Sequence, residues 1–405
     1  MKRYVNILIA AILALCLLPL PLAAAANNGE TDPRQMVVIS DRGEHHSLPE
    51  NSLSAILAAV DAGADMIRIS VKETADGYFV LSEDATLARM CGSGDTPISD
   101  MTLEDISALK LRAATGGHTK PTEEAPAEML TVLSEADDTV FLIDFEWESR
   151  DQVYSQIDEA GKTANCVFVC RTSAKKAVEW RNSLETPVKI MVCKKTNIIF
   201  SALSAIRALR DEDNAYLWLA TSNPYGVIFK TAVTGPAAAL DGLAVSLADE
   251  TLSGKRADTD NYREDVVSRG YNMILTGDTA GLAAYKQASA EAQRDMTELL
   301  KIEQTRVLPV FKGGAASDYL FAYNNALREA LRLSQKGFAG QRECQDAAYA
   351  LQHAANAIDE DYDALMQGKA GLTITPGRIV TAVIAAAAFI AFECFIHKYR
   401  RKNKD

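Results

Sequence analysis

Short apolar runs alternate along this chain with segments in which apolar residues recur at helical spacing. Nine runs rich in valine, isoleucine and leucine predict β-strands over 36–41, 66–72, 78–82, 139–146, 166–171, 188–194, 215–221, 242–247 and 272–276. Helical patterns lie between several of them, such as the segment that begins at the capping residue Ser52 and ends before Gly63. Strands of this kind alternating with helices indicate a parallel sheet. The pattern predicts an α/β fold, a TIM (β/α)8 barrel over 36–290, with one strand more than a barrel needs.

The pattern changes after residue 290, where apolar residues recur only at helical spacing. Residues 296–366 are therefore predicted to form a small helical module, followed by a juxtamembrane linker over 367–378. The module weakly resembles helical modules found beside the membrane or wall in bacterial surface proteins. We expect it to act as a spacer that lifts the barrel off the membrane.

Both ends of the chain carry targeting signals. Basic residues, an apolar run and a small-residue site predict a signal peptide over 1–26. A second apolar run predicts a single transmembrane helix over 379–397, and the basic tail over 398–405 places the C-terminus in the cytoplasm. The prediction is a single-pass protein of the cell membrane, attached through its C-terminal helix, with an extracytoplasmic ectodomain.

Composition narrows the possible partners. The formal net charge of -12 argues against a nucleic-acid binder, which would carry basic patches. The cysteines between the two targeting signals are odd in number and lack the spacing of a metal site, so the sequence specifies no disulfide pairing.

The most informative chemical pattern lies between residues 37 and 89. It contains Asp-Arg-Gly at 41–43, Pro-Glu-Asn at 49–51, Arg-Ile-Ser at 68–70 and Glu-Asp at 83–84. This frame resembles the glycerophosphodiester phosphodiesterase family, in which the corresponding sequences are His-Arg-Gly, Pro-Glu-Asn, Glu-x-Asp and His-Asp. The resemblance implies a TIM barrel of phosphodiesterase type whose catalytic residues have been substituted.

The resemblance implies that active members of that family use two histidines as general acid and base. Basic residues hold the phosphate. The acid and base positions fall on Asp41 and Glu83, whereas Arg42 keeps the phosphate-contacting arginine. A carboxyl group with an ordinary pKa of about 4 is poorly matched to protonating a leaving alkoxide at neutral pH. Of these three catalytic positions, the two that are substituted therefore predict a loss of turnover.

The resemblance also implies a divalent cation held by three carboxylates. Those positions fall on Arg68, Ser70 and Asp144, of which only Asp144 could remain a metal ligand. A guanidinium cannot bind a metal and disfavours one nearby. We expect no cofactor, with Ca²⁺ or Mg²⁺ needed only if the protein is active. Arg68 is expected to replace the cation by pairing with Asp144 and with Glu50.

The remaining charged residues define the expected ligand site. It combines Arg42, Glu50, Arg68, Glu146, His45 and His46, with Glu146 standing where the family carries a lysine. Asp41, Glu83 and Glu146 predict an acidic mouth, so a polyol or a cationic ligand is as plausible as a glycerophosphodiester-like one. The two histidines are interpreted either as exposed loop residues or as an alternative acid, base or metal ligand.

Three functions remain open from the sequence. The first is a membrane-anchored pseudoenzyme that binds a ligand or partner without turnover. The second is an active phosphoric diester hydrolase of lipid-derived glycerophosphodiesters with a rearranged site that uses Asp41, Glu83, His45 or His46. The third is a structural interaction protein of the cell envelope. The direction in which Arg68 points separates the first two, because an inward guanidinium would fill the site.

Overall fold

The computed structural model describes residues 35–196, 198–221, 231–237, 240–247, 258–306, 308 and 315–363. The predicted signal peptide, the linker over 367–378, the transmembrane helix over 379–397 and the basic tail lie outside these residues. No helix within the described ranges is both long and apolar enough to cross a membrane.

The described residues divide into two compact units. The first extends to Thr297 and also contains Leu331–Asp346, whereas the second contains Glu298–Ala330 and the described residues from Ala347 onward. Residues 331–346, which fall inside the helical module predicted from the sequence, thus group with the barrel unit.

All nine predicted strands are present in the first unit, with ends shifted by no more than a residue or two. They are β1 (Val37–Asp41), β2 (Met66–Glu73), β3 (Phe79–Leu81), β4 (Val140–Asp144), β5 (Cys166–Cys170), β6 (Lys189–Lys195), β7 (Ala215–Thr221), β8 (Gly242–Leu247) and β9 (Met273–Thr276). The apolar runs predict these strands well because parallel strands covered on both faces are apolar throughout.

Eight of these strands close into a parallel barrel, which confirms the predicted fold class. The order is β1, β9, β8, β7, β6, β5, β4, β2, and the pairing of β1 with β2 closes the ring. Strand β3 pairs antiparallel with the end of β2, with Val71 opposite Leu81. The one predicted strand beyond the eight that a barrel needs is therefore β3, a true strand that lies outside the barrel.

Helices cover the outside of the barrel and form most of the second unit. In chain order they are α1 (Leu53–Asp61), α2 (Ala88–Cys91), α3 (Leu103–Ser107), α4 (Met129–Glu135), α5 (Arg150–Glu159), α6 (Ala174–Ser183), α7 (Ile199–Leu209), α8 (Thr231–Ala237), α9 (Asp260–Ser268), α10 (Thr279–Gln304), α11 (Ala315–Ser334) and α12 (Gln341–Glu360). Helix α1 begins as predicted at Ser52, whose side-chain oxygen accepts a hydrogen bond from the backbone N–H of Ala55.

Side-chain alternation along the strands decides which residues reach the mouth of the barrel. On β4, Leu142 belongs to the core inside the barrel, whereas its neighbour Ile143 packs in the core between strands and helices. The next inward position is Asp144, at the carboxyl end of the strand. TIM-barrel sites lie at this end, so the alternation brings charged residues of several strands together there.

The second unit has its own buried contacts. The hydroxyl of Tyr323 on α11 donates to the side chain of Glu303 at 2.9 Å. Arg306 connects Glu303 to Asp359 of α12, with distances of 2.7 Å to each carboxylate. These bonds link the three helical segments of the unit.

Candidate functional site

Arg68 lies at the centre of the barrel mouth and points inward. Its guanidinium donates from Nη1 to Asp41 Oδ1 at 2.6 Å, from Nη2 to Glu83 Oε2 at 2.9 Å, and from Nε to Asp144 Oδ2 at 2.8 Å. The Arg68 side chain is only 5% exposed. One guanidinium thus joins three carboxylates that come from β1, from the segment after β3 and from β4. The predicted pairing of Arg68 with Asp144 is present.

A second arginine holds Asp144 from the other side. Arg171, which directly follows β5, donates from Nε to Asp144 Oδ1 at 2.7 Å and from Nη2 to Oδ2 at 2.5 Å. The guanidinium carbons of Arg68 and Arg171 lie 5.5 and 5.4 Å from the ring centroid of Trp218 on β7. This is the range of cation–π attraction, so Trp218 helps to hold both arginines.

Glu50, also expected near Arg68, pairs with two other arginines. Arg42 Nη1 lies 3.2 Å from Glu50 Oε2, and Arg89 Nη2 lies 2.6 Å from Glu50 Oε1. Arg42 also lies 3.5 Å from Asp41, which connects this group to the cluster around Arg68. The phosphate-contacting position of the family is therefore occupied by a largely buried arginine that already has carboxylate partners.

Ser70, at a metal-ligand position implied by the resemblance, bonds to a neighbouring carboxylate. Its hydroxyl donates to Glu83 Oε2 at 2.5 Å, on the same carboxylate that accepts from Arg68. Glu83 is thereby held by two donors of β2. Glu83, at an acid or base position of the family, is therefore hydrogen-bonded to Ser70, at a metal-ligand position.

The backbone leaves β1 in an unusual conformation that brings Arg42 into the cluster. Arg42 has a φ of 65° and Gly43 a φ of 85°, both in the left-handed region. A Cβ on residue 43 would lie 2.6 Å from the backbone carbon of Ala55, so only glycine fits against α1. Left-handed non-glycine residues concentrate at functional sites, which agrees with the position of this turn.

The pKa values of the three carboxyl groups around Arg68 are lowered. Burial, the largest single influence, would raise each pKa, but the charges and hydrogen bonds of the partners together outweigh it: Arg68 for all three groups, with Arg42 for Asp41 and Glu83 and Arg171 for Asp144. The pKa of Asp41 lies far below its ordinary value, and the pKa values of Glu83 and Asp144 are lowered as well. At neutral pH these groups are ionised acceptors, and Asp41 and Glu83 hold no proton to donate.

The two histidines differ in their position. The Nδ1 atom of His45 lies 2.9 Å from the carbonyl oxygen of Gly43, and its ring lies against Gly277, just after β9. His46 is exposed and its Nδ1 lies 2.6 Å from Glu44 Oε1, a hydrogen bond that raises the pKa of His46. Only His45 is brought towards the cluster.

Arginines balance most of the carboxylate charge that was expected to make the mouth acidic. Glu146 is 66% exposed and pairs with Lys72, so it is not brought into the cluster. The connected network contains five carboxylates and four guanidiniums, of Asp41, Glu50, Glu83, Asp84, Asp144, Arg42, Arg68, Arg89 and Arg171. Counting acidic residues in the sequence overstated the charge because it could not include their partners.

Sequence reasoning missed two arginines of the network, Arg89 and Arg171, and also Trp218, whose ring lies beside the network. Arg171 carried a usable signal, because it follows the strand next to the one that ends in Asp144, and neighbouring strand ends meet at one mouth. Trp218 lies inside an apolar strand, where an aromatic residue is ordinary core.

The residues present do not fit the divalent cation that the family resemblance implies. Of the three ligand positions, Asp144 alone is a carboxylate, and its two oxygens accept from Arg68 and Arg171. The fixed charge of Arg68 lies among the carboxylates that a cation would need. Among the described residues, no group of three or more histidine, cysteine or acidic side chains is arranged to hold a metal.

The fold and the site define a TIM barrel with a charged cluster at the carboxyl ends of its strands. The sequence model of the glycerophosphoryl diester phosphodiesterase family matches residues 42–240. The barrel of this chain belongs to that family, as the motifs between residues 37 and 89 predicted.

Similar proteins carry the same family name. Over 127 residues the chain is 33% identical to a glycerophosphodiester phosphodiesterase of Caldanaerobacter subterraneus, a match covering 30% of this chain and 49% of that protein. Over 105 residues it is 35% identical to glycerophosphodiester phosphodiesterase 1 of Mus musculus, covering 26% of this chain and 30% of the relative. The chain thus matches half or less of the length of these relatives.

A solved structure shares the fold. It is a glycerophosphoryl diester phosphodiesterase from Parabacteroides distasonis, with a TM-score of 0.50 and 16% identity, matched over 62% of this chain and 86% of that chain. At this identity the likeness bears on the fold alone.

Proposed function

We propose that this protein is a catalytically impaired member of its family, a pseudoenzyme whose barrel binds a ligand or partner without turnover. The observation that carries the proposal is the position of Arg68, whose guanidinium contacts Asp41, Glu83 and Asp144 at 2.6–2.9 Å. It fills the space among the carboxylates and supplies the positive charge that they require.

Loss of the acid supports the same proposal. Phosphodiester cleavage needs a group that protonates the leaving alkoxide, and the best pKa for that group is near the working pH. Asp41 and Glu83 take the acid and base positions with lowered pKa values, so both remain ionised. Either carboxylate would also repel a phosphate anion.

The proposed ligand is a polyol or a glycerophosphodiester-like molecule that is held but not cleaved. Because the charges of the network nearly balance, a neutral polyol group fits the mouth better than a small ion. Arg42 falls on the phosphate-contacting position that the resemblance implies, and Arg171, whose side chain is 43% exposed, is an accessible donor at the same mouth.

We further propose that this barrel is exported and anchored in the cell membrane. The support is the sequence alone: the signal pattern over 1–26, the apolar run over 379–397 and the basic tail over 398–405. On this proposal the barrel and the helical unit are extracytoplasmic, and the C-terminus is cytoplasmic.

The test is an activity assay on the full chain with glycerophosphocholine, with Ca²⁺ or Mg²⁺ and with EDTA as control. We expect no turnover that depends on metal. The matched variant restores the family residues at six positions: Asp41→His, Arg68→Glu, Ser70→Asp, Glu83→His, Asp144→Glu and Glu146→Lys. Turnover by the unmodified chain that EDTA abolishes would refute the proposal, whatever the restored variant does.

The position of His45 supports a second candidate, an active phosphoric diester hydrolase with a rearranged site. If Nδ1–H donates to the carbonyl of Gly43, Nε2 carries the lone pair that a general base needs. On this alternative, His45→Ala abolishes turnover while the exposed His46→Ala does not. If both variants showed the same metal-independent background turnover, this alternative would be excluded.

A further inference from the structure

The helical unit contains a pocket of about 520 Å³ that is separate from the barrel mouth. It lies between α11 and α12, and its polar and aromatic lining consists of Asp318, Tyr319, Asn325, Tyr349 and His353. This volume is in the range of small-molecule sites. The pocket belongs to none of the chemistry assigned to the barrel.

Alanines form the floor of this pocket. Ala322 and Ala326 of α11 and Ala350, Ala354 and Ala357 of α12 recur at helical spacing and share one face. Their methyl groups leave space that larger side chains would fill. The floor is therefore apolar, and a compact ligand bound there would contact methyl groups.

Two tyrosines form the walls. The hydroxyl of Tyr319 bonds to Asp361, which fixes its ring beside the floor. The ring of Tyr349 packs on His353, with centroids 5.9 Å apart and planes at 33°. Tyr349 is 72% exposed, which is unusual for a large aromatic residue and leaves its face available to a ligand.

The charge around the pocket is negative. The described residues of this unit carry eight acidic side chains against three basic ones, Lys301, Arg306 and Arg328. Asp318 lines the pocket and has no ion-pair partner within the described part of the chain. Aromatic faces also carry partial negative charge, so rings and carboxylate favour a cation.

We propose that this pocket binds a small organic cation of the quaternary ammonium class. Its apolar shell would contact the alanine floor, its charge would lie against the faces of Tyr319 and Tyr349, and Asp318 would complement that charge. A strongly hydrated metal ion or a neutral ligand would use only part of this combination. The inference is independent of whether the barrel is active.

The test is calorimetric titration of the full chain with choline and with tetramethylammonium. The matched control ligand is 3,3-dimethylbutan-1-ol, which has the shape of choline without its charge. We expect saturable binding of both cations in the millimolar range or tighter, and binding of the neutral alcohol that is weaker by roughly tenfold or more. Absence of saturable cation binding, or equal binding of the alcohol, would overturn the proposal.

Variants locate the site. Tyr349→Ala and Asp318→Asn are expected to weaken choline binding by roughly fivefold or more each, because each removes one attraction for the cation. Phe321→Ala is the control, since Phe321 is also on α11 and 67% exposed but does not line the pocket. Circular dichroism checks that all three remain helical. Unchanged binding in both pocket variants would show that choline binds elsewhere and would refute the proposal.

Discussion

The barrel mouth and the pocket of the helical unit use similar side chains with opposite results. In the mouth, the guanidinium of Arg68 fills the space among three carboxylates and satisfies them. In the pocket, alanines leave about 520 Å³ open and Asp318 lines it without an ion-pair partner among the described residues. The space among the carboxylates of the barrel is therefore filled by a side chain, while a helical face outside the barrel leaves room for a ligand.

The comparison teaches how a metal site can be lost without loss of the fold. Carboxylates grouped around a missing cation would repel one another and would be costly to bury. Arg68 offers a fixed positive charge with several donors in one plane, and on the proposal of an impaired site it takes the electrostatic role of the cation. Ser70 then adds a hydrogen bond to Glu83 in place of a ligand.

The largest expected effect comes from removing the centre of the network. Arg68→Met should lower the free energy of unfolding by about 3–5 kcal/mol, because it leaves buried carboxylates without their shared partner. Chemical denaturation of the full chain measures it. Arg210→Met, at an exposed arginine that lies 3.5 Å from Asp211, is the control and should change stability by less than about 1 kcal/mol. A similar small effect at both positions would show that the network contributes little.

Acid should weaken the ion-pair network at the barrel mouth. The folded-state pKa values of Asp41, Glu83 and Asp144 lie below their ordinary values of 3.8 and 4.5, so the unfolded chain binds more protons. Their contribution is fully present above these ordinary values and is lost as the pH falls below them. Denaturation between pH 3 and 6 should show that the free energy of unfolding falls more steeply with acid in the unmodified chain than in Arg68→Met. Equal slopes would contradict the assigned pKa shifts.

A smaller loss of stability is expected from removing Arg171, at the outer side of the network. Arg171→Met should lower the free energy of unfolding by about 1–2 kcal/mol, because Asp144 keeps its bond to Arg68 and the Arg171 side chain is partly exposed. The same denaturation experiment measures it. A cost above that of Arg68→Met would mean that Arg171, rather than Arg68, is the main partner of Asp144.

The smallest effect on stability is expected in the pocket. Ala350→Leu adds apolar volume at an exposed position of α12 that lines the pocket, and should change the free energy of unfolding by less than about 0.5 kcal/mol. It should nevertheless weaken choline binding, because it fills the floor. Gln352→Leu, on an exposed position of α12 that does not line the pocket, is the matched control. Loss of binding in both variants would contradict the assigned floor.

The sequence predicted the barrel well because strand formation depends on local apolar runs. It also placed Asp41, Arg68 and Asp144 correctly, since strand alternation and the motif spacing between residues 41 and 84 determine where these side chains meet. Arg171 and Trp218 were missed because they reach the mouth from strands with no motif. The sequence did not show which of the nine strands lies outside the barrel, because an antiparallel addition to β2 has the same apolar pattern as a barrel strand.

The central claim is that Arg68 stands where the family binds a cation, and calcium titration of the full chain tests it most directly. Calorimetry of the unmodified protein should show no saturable binding, whereas Arg68→Met, which removes the guanidinium shared by Asp41, Glu83 and Asp144, should gain it. Saturable calcium binding by the unmodified chain that Asp144→Asn removes would contradict the account, because the cation site would then coexist with the arginine.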